Sequence, residues 1–128
     1  MKTDVREMLK EFTVGMKDLG KSNTDYAVAF GQLLGTTLKP KNLSTKEKEL
    51  ISIGIAVHTR CEYCVVFHVY NAFKCGATRD EILEAAFVAV CMGGGPSMTY
   101  VVTSVKSAVD EFEKDFVESK SESSSKAA

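Results

Sequence analysis

Two cysteines stand three residues apart in the run Cys61-Glu62-Tyr63-Cys64, with His68 four residues after Cys64 and Glu49 twelve before Cys61. A thiol, an imidazole and a carboxylate are the parts of a nucleophile, its base and the group that orients the base. Cys64 and His68, being four apart, share a face if they lie on one helix. The need for such an arrangement can be weighed. A free thiol of pKa near 8.5 is only about 3% thiolate at pH 7, and reaching one half takes a shift of ~1.5 units, or ~2 kcal/mol. The start of a helix supplies about 0.3–1 kcal/mol toward that. A base such as His68, held by Glu49, can supply the remainder. Arg60 adds a positive field or is a solvated turn residue.

Other readings of the same residues stay open at this point. The cysteines can be inert and buried, or they can bind zinc together with two histidines, since His58-x2-Cys61-x2-Cys64-x3-His68 offers four ligand types. On one continuous helix such ligands rotate apart and do not converge, so zinc requires a sharp turn among them. His58 by itself reads as a polar residue of a helix's last turn. Cys75 and Cys91 read as small core residues, and Glu62 as a capping or solvated residue. Gly93-Gly94-Gly95-Pro96 lacks a preceding strand and a following Lys-Ser/Thr, so it reads as a tight turn between helices and not as a phosphate loop.

The elements that must position these groups are helices. Thr3 or Asp4 caps a first helix with apolar positions Val5, Met8, Leu9, Phe12 and Met16, ended by Gly20. A second runs from about Asn23 with Tyr26, Phe30, Leu33 and Leu34 on one face and stops before Lys39-Pro40. Ser44-Thr45-Lys46-Glu47 is a capping box opening a third helix to about Thr59, and Thr78-Arg79-Asp80-Glu81 repeats the device for a fifth, through Met92. The fourth lies between, from about Arg60 to Cys75, with Gly76 placed for a left-handed C-cap. Pro96 suits the first turn of the last helix, whose apolar face includes Val101, Val105, Val109, Phe112 and Phe116. The short link between the third and fourth helices implies an antiparallel hairpin. Counted from a turn near Arg60, Glu49 and His68 then differ in height by about 4.5 Å, within one helical turn.

The expected fold is all-α, a single-domain bundle of about six helices over residues 1–118, with 119–128 a disordered tail that has nothing to bury. The third, fourth and fifth helices are apolar over much more than a stripe, which calls for burial on both sides. Self-association is the natural outlet, a monomer with a dense central layer the alternative. The 128 residues are 45% hydrophobic and 26% charged with a net charge of −1, which argues against nucleic acid as a partner. The longest apolar run, Ala85 to Met92, is far short of the ~20 residues of a membrane span. No apolar segment follows the charged N-terminus, so no signal peptide and a cytoplasmic location are expected, where thiols are kept reduced.

The pattern Glu49-x11-Cys61-x2-Cys64-x3-His68 resembles the signature of the alkylhydroperoxidase AhpD-like members of the carboxymuconolactone decarboxylase family. The flanks Lys48-Glu49-Leu50-Ile51, Gly76-Ala77-Thr78-Arg79-Asp80-Glu81-Ile82 and Gly93-Gly94-Gly95-Pro96 resemble it too, over roughly residues 24 to 114. The resemblance implies a helical domain assembling as a homo-oligomer, a trimer or hexamer. It implies a redox-active Cys61–Cys64 disulfide that reduces a small hydroperoxide or exchanges with a disulfide substrate. By similarity Cys64 is the activated thiol, Cys61 its disulfide partner, His68 the proton relay and Glu49 the general base. A thiol or dithiol reductant, lipoyl-type compounds among the candidates, would regenerate it. No metal, flavin or nicotinamide cofactor is needed, because a dithiol itself cycles two electrons. In one departure, Tyr63 stands where some such proteins carry a second histidine, and a phenol does not shuttle protons near pH 7 as an imidazole does. The rival functions are lactone decarboxylation and a non-enzymatic helical zinc-binding or assembly module.

Overall fold

A computed structural model of the chain describes residues 4–127, with side chains for 4–117. Six helical rods account for it, and no strand occurs among the described residues. They are α1 (Val5–Ser22), α2 (Thr24–Leu38), α3 (Thr45–Thr59), α4 (Glu62–Lys74), α5 (Arg79–Gly93) and a last rod built of α6 (Gly95–Tyr100), a π-helical turn (Val101–Val105) and α7 (Lys106–Ala127). The all-α expectation holds. The first helix continues past Gly20 to Ser22, because an isolated helical glycine is tolerated and Asn23 closes the end by donating to the Leu19 carbonyl. The expected tail over 119–128 falls where side chains lie outside the described residues.

Local chemistry sets the helix ends. Asp4 accepts from the Glu7 amide at the start of α1. Both capping boxes form, Ser44 with Glu47 and Thr78 with Glu81. Lys46 reaches from α3 to the Glu81 carboxylate at 2.9 Å, so the box that opens α5 is also tied to α3. This ion pair and its capping bonds hold the Glu81 carboxyl below the usual carboxylate range. At the far end of α4, Gly76 is left-handed (φ 88°), its amide bonding to Phe73 and that of Ala77 to Ala72, the two bonds of a Schellman motif.

The core forms around α4, whose Val65, Val66, Val69, Ala72 and Phe73 are buried against α3, the first half of α1, the π-helical turn and α7. Phe112 of α7 is fully buried, with Tyr70 edge-on at 5.1 Å and Arg6 5.5 Å from its ring centroid. Arg6 also pairs with Glu111 at 2.7 Å and Asp115 at 2.8 Å, fastening the start of α1 to α7. The π-helical turn places Val101, Ser104 and Val105 inward together.

Two expectations about burial fail. Cys75 and Cys91 are exposed. Cys75 follows the end of α4 at the surface, and Cys91 lies on the outer side of α5, where apolar neighbours in sequence are no guide to burial because that side has nothing packed on it. Of the three apolar helices, α4 is enclosed, whereas α3 and α5 leave Ile51, Ile55, Phe87, Val88 and Met92 exposed.

The third-to-fourth helix link turns on a residue type that sequence does not advertise. Arg60 is left-handed (φ 60°, ψ 43°), a conformation that costs a side-chain-bearing residue about 1–2 kcal/mol. Its amide bonds to the Val57 carbonyl and the Cys61 amide to that of Ala56, a second Schellman motif. Arg60→Gly should relieve the strain and raise stability by roughly 0.5–1 kcal/mol after the glycine's greater unfolded-state freedom is deducted. Urea unfolding followed by circular dichroism checks this; an unchanged or lower midpoint would show that the arginine side chain contributes there.

Candidate redox site

The Schellman turn at Arg60 reverses the chain so that Cys61 becomes the N-cap of α4, which begins at Glu62, two residues later than the sequence pattern suggests. The Cys61 sulfur accepts from the Cys64 amide at 3.3 Å, taking the place of the usual capping oxygen. The two cysteines are joined as a disulfide with their Cα atoms 5.2 Å apart. Both are part-buried, and Cys64 packs against the core.

His68 follows Cys64 by one turn of α4. Its Nδ1 lies 2.7 Å from Oε2 of Glu49, which projects from α3. A carboxylate oxygen only accepts, so Nδ1 carries the hydrogen and Nε2 is left with the lone pair. The Glu49 side chain is 3% exposed and that of His68 16%. Antiparallel α3 and α4 bring together residues nineteen apart in sequence with no intervening water needed. All four residues singled out by spacing thus fall in one region: Cys61 and Cys64 at the first turn of α4, His68 on the next turn, and Glu49 beneath it.

Sequence reasoning missed the wall that α1 builds beside this region. Tyr63 donates its phenolic hydrogen to the Glu11 carboxylate. Phe12 meets Phe67 edge-on at 5.0 Å, and Phe67 meets the His68 ring at 5.1 Å. The apolar spacing of α1 included Phe12, but nothing in sequence pairs residues more than fifty apart. His58 is exposed and lines a separate apolar groove between α3 and α5. Among the described residues, no group of three or more His, Cys, Asp or Glu side chains is arranged to hold a metal ion. No helix is long and apolar enough to cross a membrane.

Comparison with known proteins agrees with this architecture. The model of the carboxymuconolactone decarboxylase family matches residues 24–106. An uncharacterised protein of Cupriavidus necator is 32% identical over 100 residues, 78% of this chain and 88% of that protein. The crystal structure of an apo carboxymuconolactone decarboxylase family protein from Legionella pneumophila superimposes with a TM-score of 0.77 at 34% identity, covering 86% of this chain and 95% of the other. A Thermotoga maritima family member, for which involvement in an antioxidative response has been suggested, gives 0.71 at 24% identity over 88% and 93% of the two chains, a likeness of fold alone. The chain belongs to the carboxymuconolactone decarboxylase family and has the AhpD-like fold.

Tyr63 provides a measurable handle on the wall. Ionising it would set a phenolate against the Glu11 carboxylate, so the hydrogen bond and the adjacent negative charge hold its pKa above the ordinary value. The contribution to stability is complete below the unfolded value of about 10 and is lost as pH rises through the higher folded one. Glu11→Gln should bring the phenol titration back toward about 10, read from tyrosinate absorbance. An unchanged titration would mean that Glu11 does not hold Tyr63 in solution.

Proposed function

We propose that this chain is a cytoplasmic thiol-dependent oxidoreductase in which Cys61 and Cys64 cycle between dithiol and disulfide to reduce hydroperoxides or exchange disulfides. The observation that carries the reading is the position of a Cys-x-x-Cys disulfide one helical turn before a histidine held at 2.7 Å by a buried glutamate. In the reduced protein the Cys64 thiolate attacks the outer oxygen of a hydroperoxide. The O–O bond breaks, the alcohol leaves, and Cys64 becomes a sulfenic acid. The Cys61 thiol then attacks that sulfur, releasing water and forming the disulfide. An external dithiol reduces it through a mixed disulfide and carries away the two electrons.

Within this scheme His68 takes the thiol proton at Nε2 and Glu49 holds the ring in the tautomer that can accept it. The imidazolium formed is stabilised by the carboxylate, as in other base–orienter pairs. Cys61 has a claim of its own to the attacking role. Its sulfur accepts a backbone amide at the start of α4, where negative charge is favoured. The His68 spacing favours Cys64 for the attacking role and Cys61 for the resolving role.

Cys64→Ser should abolish consumption of an organic hydroperoxide in the presence of excess dithiol. Cys61→Ser should allow a single turnover and leave Cys64 as a sulfenic acid or mixed disulfide, visible by mass spectrometry. His68→Gln and Glu49→Gln should raise the pH of half-maximal Cys64 alkylation by about one unit, with the helical circular dichroism unchanged. A lowered pKa at Cys61 in place of Cys64 would reverse the two roles. Absence of turnover with both hydroperoxide and disulfide substrates, or a stoichiometric metal in the purified protein, would overturn the reading.

A further inference from the structure

Beside the first half of α1 lies a cleft of about 430 Å³, framed by α1, α4 and α7. Neither α3 nor α5 contributes to it, so it is distinct from the groove that His58 lines. Its floor is apolar and largely aromatic, made by Leu9, Phe67 and Tyr70 and closed below by the buried Phe112. The rings are already held. Phe67 is packed edge-on by Phe12 at 5.0 Å, and Tyr70 stands edge-on to Phe112 at 5.1 Å. A floor of fixed rings loses little conformational freedom when a ligand enters.

The rim is polar and of one sign. On α4, Asn71 and Lys74 follow Phe67 at four and seven residues, so the three share a helix face, and Lys10 joins them from α1. Two other polar groups of the rim are already engaged. The Arg6 guanidinium is committed to Glu111 and Asp115, and the Thr13 hydroxyl donates to the Leu9 and Lys10 carbonyls. By contrast, the Lys10 and Lys74 ammoniums and the Asn71 side-chain amide make no hydrogen bond or ion pair among the described residues. No carboxylate lines the cleft, although acidic residues outnumber basic ones in the chain, 17 to 16. Behind the rim, Glu111 and Asp115 are balanced by Arg6 and Lys114. The field at the mouth is therefore set by Lys10 and Lys74, and apolar walls concentrate it.

We propose that this cleft is a binding site for a small organic acid with an aromatic or alkyl body. Lys10, Lys74 and Asn71 take the acid group, and the body lies on Phe67 and Tyr70. Each part of the lining excludes an alternative. A cation is drawn to aromatic faces but is repelled here by two free ammoniums. A purely apolar molecule would desolvate the rim without offering it an acceptor. A polyanion such as nucleic acid calls for an extended basic surface, and the chain has a net charge of −1. The volume falls within the roughly 300–1,000 Å³ of small-molecule sites, which are likewise apolar with a few convergent polar groups. The site is independent of the dithiol chemistry, since binding is read without turnover.

The probe is 4-phenylbutanoate, with 4-phenylbutanol as its uncharged match. Added to the oxidised, isotope-labelled full chain, the acid should saturate a single site. It should shift the Asn71 side-chain amide and the Phe67 and Tyr70 ring signals in NMR spectra. The alcohol should bind about tenfold more weakly, the loss expected for one charged hydrogen bond, and added salt should weaken the acid alone. Lys10 and Lys74 are exposed, so substitutions there should keep the circular dichroism of the wild type. Lys10→Glu and Lys74→Glu should each weaken the acid by about tenfold or more and leave the alcohol unchanged, whereas Lys10→Arg and Lys74→Arg should retain the acid. Absence of acid binding up to about 10 mM would overturn the proposal. So would equal affinity for acid and alcohol, indifference to both charge reversals, or shifts confined to the groove between α3 and α5.

Discussion

The contact between Glu49 and His68 constrains most of what surrounds it. A carboxylate with almost no access to water needs a hydrogen-bond partner inside the protein, and leaving a buried polar group without one costs about 1–3 kcal/mol, more for a charged group. Glu49 has that partner at 2.7 Å, across from α3 to α4. The contact fixes the register of the two helices as well as their separation. Sliding α4 by one turn would move His68 by about 5.4 Å and strand both groups. Because Cys64 precedes His68 by a turn on the same helix, the same register decides where the sulfurs sit relative to Glu49.

The rest of the design can be read as support for that register. The Schellman turn at Arg60 ends α3 and delivers Cys61 as the cap of α4, so no slack residue separates the hairpin from the dithiol. The enclosed side of α4, with Val65, Val66 and Val69 packed into the core, prevents rotation about its axis. From α1, the Tyr63–Glu11 hydrogen bond and the Phe12–Phe67–His68 series of rings hold the remaining side. The capping boxes at the starts of α3 and α5, linked by Lys46 and Glu81, tie the far end of α3 to α5.

Burial divides the molecule into two parts with different fates. Around α4 the apolar residues find partners within the chain. On α2 and on the outer sides of α3 and α5 they do not, and these surfaces are large for a chain of this size. Family membership and fold do not by themselves assign a reaction, since one scaffold hosts many chemistries. The chemistry argued for this chain rests on its own thiols, imidazole and carboxylate.

Much of the fold was legible in sequence because its determinants are local. Ser44 with Glu47 and Thr78 with Glu81 announce helix starts through bonds that close within three residues, and Gly76 announces a stop through a conformation glycine adopts freely. The meeting of Glu49 with His68 was legible too, since a short link between helices leaves little freedom in how they fold back. What tertiary structure alone decided are matters of long-range packing. It chose Arg60 for a left-handed turn, since the two Schellman bonds outweigh the strain of its side chain. It brought Glu11 to Tyr63, residues with no local relation. It also settled which apolar sides of α3 and α5 face outward and left Cys75 and Cys91 at the surface, because hydrophobic spacing marks a residue as fit for burial without saying whether anything will cover it.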